Sequence, residues 1–198
     1  MGKAERRNNQ PDPENLTSFL APIQALQDLL ERFNGRGVII GGVAASLLGV
    51  PRYTADLDAV VLLNLEEIPH LLDEAEKLGI EARISDPAAF AWKNRVLLLR
   101  HRDSAMDIDL SLGVLPFEME MVERSQFVNI GPTKLRLPTP EDLIIMKAVA
   151  HRPKDLEDIQ AIAASHTGLD KERIHFWVEQ FGTALDLPDL YNEILNLL

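Results

Sequence analysis

Apolar residues at Leu16, Phe19, Leu20, Ile23, Leu26, Leu29, Leu30 and Phe33 recur at steps of three and four, the signature of one buried helix face, and Asn34-Gly35 supplies a left-handed stop. Val38-Ile39-Ile40 predicts a short buried strand. Gly41-Gly42 breaks it, and Val43 to Leu48 predicts a short helix before the turn Gly49-Val50-Pro51. Leu57 to Leu63 predicts a second strand, apolar almost throughout after Asp58, as a strand covered on both faces would be. Leu65 to Leu78 predicts an amphipathic helix closed by Gly79. Asn94 to Arg100 and Ala105 to Leu112 flank His101-Arg102-Asp103-Ser104 as a hairpin. Phe117 to Arg124 predicts a short helix, and Phe127 to Ile130 with Lys134 to Leu137 a second hairpin around Gly131-Pro132.

From Thr139 the pattern turns helical. Thr139-Pro140-Glu141-Asp142 combines a capping hydroxyl, proline at the first position and acids in the first turn. Helices are expected near 140–150, 154–165, 170–181 and 187–197. The order predicts an α+β fold: a frayed tail at 1–14 containing Pro11 and Pro13, an α/β core with its leading helix at 15–138, and a C-terminal helical region at 139–198 packed on that core. There is no internal repeat.

The 198 residues suit one compact domain, and 46% hydrophobic with 26% charged residues lies near the globular average. Twenty Lys and Arg against 31 Asp and Glu leave a net charge of −11, which argues against coating nucleic acid by bulk positive charge. The absence of cysteine excludes disulfides, thiolate metal sites and a Cys nucleophile. No apolar run approaches the ~18 residues of a membrane span, and the polar N-terminus lacks the apolar core of a signal peptide. A soluble cytoplasmic protein without membrane contact is expected.

Two short motifs then stand out. In Asp56-Leu57-Asp58 the acids are two apart, so on a strand they point the same way, about 6–7 Å from each other. Without a cation they repel by about 2–3 kcal/mol at an effective dielectric near 20. Taken alone, Asp56 can be a loop end and Asp58 a strand cap. But Met106-Asp107-Ile108-Asp109-Leu110 repeats the pattern on a later strand. If the two strands are neighbours, three or four carboxylates converge, and such a cluster needs a divalent metal or retained protons. All-oxygen ligands select Mg²⁺ or Mn²⁺. The plain alternative for Asp107 and Asp109 is an acid stripe on a wet edge strand. Gly41-Gly42 sits at a strand-to-helix junction, where it either makes a tight turn or lets phosphate approach a helix N-terminus.

Gly41-Gly42, thirteen intervening residues, Asp56-x-Asp58 and a third acid on a later strand together resemble the nucleotidyltransferase signature. Gly42-Val43-Ala44-Ala45, Gly49 and Arg52-x-Thr54-x-Asp56-Leu57-Asp58 resemble the AbiEii-type branch, whose members include toxins of type IV toxin–antitoxin systems. Leu137-Pro138-Thr139-Pro140-Glu141-Asp142-Leu143 through Lys147, then Arg152-Pro153-Lys154-Asp155-x-x-Asp158, resemble the two later motifs of that branch. The similarity spans about residues 36–165. It implies a polymerase-beta-like mixed sheet with a C-terminal helical bundle, and transfer of a nucleoside monophosphate from a nucleoside triphosphate to a hydroxyl on RNA, protein or a small molecule. By the same resemblance Asp56, Asp58 and Asp109 are the catalytic, metal-holding acids, with Asp109 near the acceptor hydroxyl. Gly41, Gly42, Arg52, Thr54, Lys147 and Asp155 form the nucleotide site, and a cognate antitoxin is a partner. Here the second small residue of the glycine pair is Gly42 where the family often has serine, which leaves backbone contacts only.

The chemistry suits these residue types independently. In-line displacement at phosphorus with two metals needs bridging carboxylates, a third acid near the nucleophile and cations for the leaving pyrophosphate. Arg52 and Lys147 are candidates for the last role. Their ordinary alternatives are an Arg52–Asp56 pair and a solvated helical Lys147 with an i,i+4 contact. Lys93, Arg95, Arg100 and Arg102 form a cationic cluster that either steers a nucleic-acid acceptor or protects a hairpin edge. Trp92 and Trp177 are read as packing residues, and the five histidines show no ligand spacing. Beside the enzyme reading stand two others: a silent nucleotide- or partner-binding module of the same fold, and an antitoxin-like transferase acting on a partner toxin.

Overall fold

The period-two alternation of the strands builds one five-stranded mixed sheet. β1 (Gly37–Ile40), β2 (Asp56–Val61), β3 (Ile80–Ala82), β4 (Val96–His101) and β5 (Met106–Leu112) lie in the order β1-β2-β5-β4-β3. Only β2 and β5 run parallel; the other neighbours are antiparallel. The computed structural model describes residues 13–131 and 133–198, with side chains from Leu20 onward. The expected frayed tail lies outside these residues except for Pro13 and Glu14, which open helix α1 (Pro13–Arg32). Pro132 of the second hairpin turn lies outside them too.

Register separates a core face from a polar face. Leu57, Ala59, Ile108, Leu110, Leu97 and Leu99 occupy facing positions on adjacent strands and are fully buried. Each large aliphatic side chain so buried contributes about 1.5–3 kcal/mol. The residues between them, Asp58, Asp107 and Asp109, are only half-buried, and Asp56 is exposed. Because the side-chain period is two, burying the leucines obliges the aspartates to share the opposite face.

Helix α2 (Gly41–Leu48) begins at the glycine pair itself and not at Val43. Gly41 adopts φ +65, so the chain turns from β1 straight into the helix. The single helix expected over 65–78 divides. Leu65–Glu67 forms a 3₁₀ turn capped by Asn64, and α3 (Ile68–Glu76) starts just before Pro69, whose ring fits a first helical turn. Two elements were not expected: β3, only three residues long, and α4 (Pro87–Asn94), opened by Asp86 accepting from the Ala89 amide. Because β2 and β4 flank it on either side, the acid-bearing β5 is the middle strand of the sheet and not a wet edge.

α5 (Pro116–Arg124) follows, and β6 (Gln126–Ile130) pairs with β7 (Thr133–Leu137) as a separate ribbon. α6 (Pro140–Ala150), α7 (Pro153–Ser165), α8 (Lys171–Ala184) and α9 (Leu190–Leu195) complete the chain, with α6 and α7 against α2. Thr139 caps α6 by accepting from the Asp142 amide at 3.2 Å. The packing of α6 and α7 on α2 brings the helical region to the glycine end of the sheet.

Candidate active site

In the parallel register of β2 and β5, Asp56 faces Asp107 and Asp58 faces Asp109. Four carboxylates therefore occupy two adjacent rows on one sheet face, across a strand spacing of about 4.8 Å. Asp56 is oriented by the Thr54 hydroxyl, which donates to its carboxylate at 3.2 Å and to its carbonyl at 3.0 Å. Burial pushes the Asp58 carboxyl above the ordinary range, and the charges of Asp56 and Asp109 add to that rise. Lys147 and Arg152 offset it in part.

The glycine pair has a local reason. A side chain at Gly41 would strike the carboxylate of Asp58, and one at Gly42 would meet the Thr54 hydroxyl at 2.5 Å. The two glycines let the acid motif and its positioning threonine pack against the start of α2.

Arg52 does not pair with Asp56. Its guanidinium grips both carboxylate oxygens of Asp158, at 2.9 Å each. Lys147 is not a solvated helix residue: it is buried and donates to Asp155 at 2.9 Å and to Asp158 at 2.7 Å. Asp155 also receives Arg152, whose own side chain stays half-exposed. Burial alone would push Asp155 and Asp158 up, but hydrogen bonds from Arg152 and Lys147 to Asp155, and from Arg52 and Lys147 to Asp158, outweigh it and hold both below the ordinary carboxylate range. A cleft joins this network to the acids, lined by Gly41, Asp58, Lys147, Arg152 and Asp155. A separate cavity of about 440 Å³ between Arg36, Arg95 and Gly113 holds none of the candidate acids or nucleotide-site residues.

The residue missed at the sheet face is Arg83, just after β3. It donates to Asp107 at 2.9 Å and also binds Asp109. Arg100, directly opposite Asp107 in register, donates to it at 2.7 Å. That hydrogen bond, with the charge of Arg83, holds the Asp107 carboxyl below its usual range. The cationic cluster therefore divides. Arg100 serves the acids, whereas Arg102 pairs with Glu81. Trp177 packs edge-on against Phe117, but Trp92 is 55% exposed and is not a packing residue.

Carboxylates from two adjacent strands beside a glycine-opened helix define the class by fold. The antibiotic-resistance factor ANT(2'')-Ia in solution superposes with TM-score 0.57 at 14% identity, covering 90% of this chain and 98% of that one. ANT(2'')-Ia in complex with adenylyl-2''-tobramycin gives 0.56 at 17% identity, covering 86% and 99%. An antigenic nucleotidyltransferase-like protein from Paracoccidioides brasiliensis gives 0.54 at 16%, covering 87% and 92%. The fold is the polymerase-beta-like fold of nucleotidyltransferases. No curated protein matches the chain. A family model covers residues 14–177, and the chain belongs to that family, described as "Nucleotidyltransferase of unknown function (DUF6036)". No helix among the described residues is long and apolar enough to cross a membrane.

Proposed function

We propose that the protein is a metal-dependent nucleotidyltransferase that moves a nucleoside monophosphate from a nucleoside triphosphate to a hydroxyl acceptor. The observation that carries this reading is the register of β2 on β5, which pairs Asp56 with Asp107 and Asp58 with Asp109.

The donor set suits Mg²⁺ or Mn²⁺: Asp56, Asp58 and Asp109 offer hard carboxylate oxygens on one sheet face. No three acidic or imidazole side chains among the described residues are already drawn together around a metal position, and Asp107 and Asp109 are instead paired with Arg83. Asp56 and Asp58 would hold the metal, with Asp109 joining them. When bound, it supplies charge neutralisation for the triphosphate and for the transition state.

The protein's own groups do the rest. The amides that open α2 face the phosphates, and Thr54 fixes Asp56. Arg152, half-exposed at the mouth of the cleft, meets the leaving pyrophosphate. Lys147, Asp155 and Arg52 hold the cleft wall in place from behind. Asp109 takes the proton of the acceptor hydroxyl, its oxygen bonds to the α-phosphorus, and the bond to pyrophosphate breaks.

The finer placement is with the AbiEii-type branch, as the toxin of a toxin–antitoxin pair in the cytoplasm. The Arg52–Asp158 and Lys147–Asp155 pairs, which join the early and late motifs of that branch into one network, support it. Incubation with each α-labelled nucleoside triphosphate, Mg²⁺ and total RNA or cell protein tests the reading. Label transfer with pyrophosphate release by the wild type, and none by Asp56→Ala/Asp58→Ala, is expected. Mg²⁺-dependent nucleotide binding with no transfer to any acceptor would instead indicate the silent binding module.

A further inference from the structure

We propose that Arg83 is the resting counter-cation of Asp109 and has to release that carboxylate before a divalent cation can share it, while remaining anchored on Asp107. The inference rests on the metal-dependent reading above.

Strand register places Arg83 where it can act. Glu81 of β3 faces Arg100 of β4, so Arg83, two residues on, lies on the same sheet face opposite Leu98. Its amide donates to the Leu98 carbonyl at 2.9 Å, which fixes its backbone to the sheet. From there the guanidinium reaches past Leu98 to β5, forking to Asp107 at 2.9 Å and to Asp109. The side chain is 22% exposed, so the pair is partly screened from water by the surrounding protein.

The two acids of β5 are held unequally. Asp107 has two arginines, since Arg100 grips it independently at 2.7 Å. Asp109 has Arg83 alone among the described residues. Four carboxylates and two arginines leave two carboxylates over, Asp56 and Asp58, neither with a basic partner in contact among the described residues. Those two match the charge of one divalent cation. A ligand bond from Asp109, by contrast, sets a metal against a guanidinium on the same carboxylate, and the two cations repel. Asp107 gives Arg83 a place to stay once it lets go. The role of this extra acid, which the β2 motif does not need, follows. Binding is then stepwise: Asp56 and Asp58 take a cation first, and Asp109 joins at the cost of displacing Arg83.

The test is Mn²⁺ binding by the full chain without nucleotide, read from the electron paramagnetic resonance signal of free Mn²⁺. Wild type, Arg83→Gln, Arg83→Lys, Arg100→Gln, Asp109→Asn and Arg83→Gln/Asp109→Asn are compared. R83Q is expected to tighten Mn²⁺ binding about tenfold, equivalent to about 1.4 kcal/mol. R100Q removes the same charge from the same face but touches only Asp107, so its gain stays below about threefold. R83K keeps the charge without the fork and gives an intermediate gain, a second reading should R83Q fold poorly. The R83Q gain disappears in the Asp109→Asn background. Equal gains for R83Q and R100Q, or a gain that survives Asp109→Asn, would overturn the role of Arg83. No Mn²⁺ binding by any variant would overturn the metal-dependent reading itself.

Discussion

Asp109→Asn keeps the size of the side chain and removes a base, so its expected signature is kinetic. Turnover falls by about 10²–10⁴-fold while nucleotide affinity, measured by titration calorimetry, changes far less. Equal losses in both would contradict its place beside the acceptor. Gly41→Ala tests the packing of the acid motif. Positive φ costs an alanine about 1 kcal/mol, and its methyl group meets the Asp58 carboxylate, so urea denaturation should show a loss of at least that size together with lost activity. Full retention of both would mean that Asp58 moves aside freely. The acid pairs were legible in the sequence because an aspartate alternating with Leu57, Ile108 and Leu110 has one face to occupy. Arg83 was not legible: it follows a three-residue strand, and its partners are 24 and 26 residues away along the chain.

At the level of helices, the ion network of Lys147 with Asp155, Asp158 and Arg52 binds α6, α7 and the loop before β2 into one body. Lys147→Met leaves two buried carboxylates with less compensation and is expected to cost about 3–5 kcal/mol in urea denaturation, against a surface control such as Lys93→Met near zero. The pH dependence carries the sign. The carboxyls of Asp155 and Asp158 are held below their ordinary pKa, near 3.9 unfolded. Their contribution is therefore present above about pH 4 and is lost as pH falls through their folded values. In Lys147→Met each carboxylate keeps its arginine but loses the lysine, so the lowering of both shrinks and this variant should lose less stability than the wild type as pH falls below about 4. Parallel pH curves would show that the lysine does not set these charges. Lys147 sits inside Leu143-Ile144-Ile145-Met146-Lys147-Ala148-Val149-Ala150, and that apolar setting is the signal of its burial. The segment 80–94 gave a weaker signal. A strand too short to show alternation precedes a helix whose cap, Asp86-Pro87, is readable only once the strand is known.

For the molecule as a whole, the acids at the N-terminal ends of β2 and β5, the opening of α2 and the cleft against α6 and α7 lie together at one end of the sheet, with their basic neighbours already paired to acids. A triphosphate cannot settle there on arginines already engaged by Asp155, Asp158 and Asp107 unless a divalent cation accompanies it. Apart from α4, the main helices, the two hairpins and the helical character of the C-terminal region followed from periodicity. That the later helices close on the acid motif did not, since it depends on contacts such as Arg52 with Asp158 across 106 residues. The most direct measurement is calorimetric titration of each nucleoside triphosphate into the wild type and Asp56→Ala/Asp58→Ala, with Mg²⁺ and with chelator. Binding of at least one nucleotide by the wild type with Mg²⁺, abolished by chelator and by the double substitution, is predicted. Binding that survives chelation, or that the substituted protein retains, would contradict the metal-bridged site.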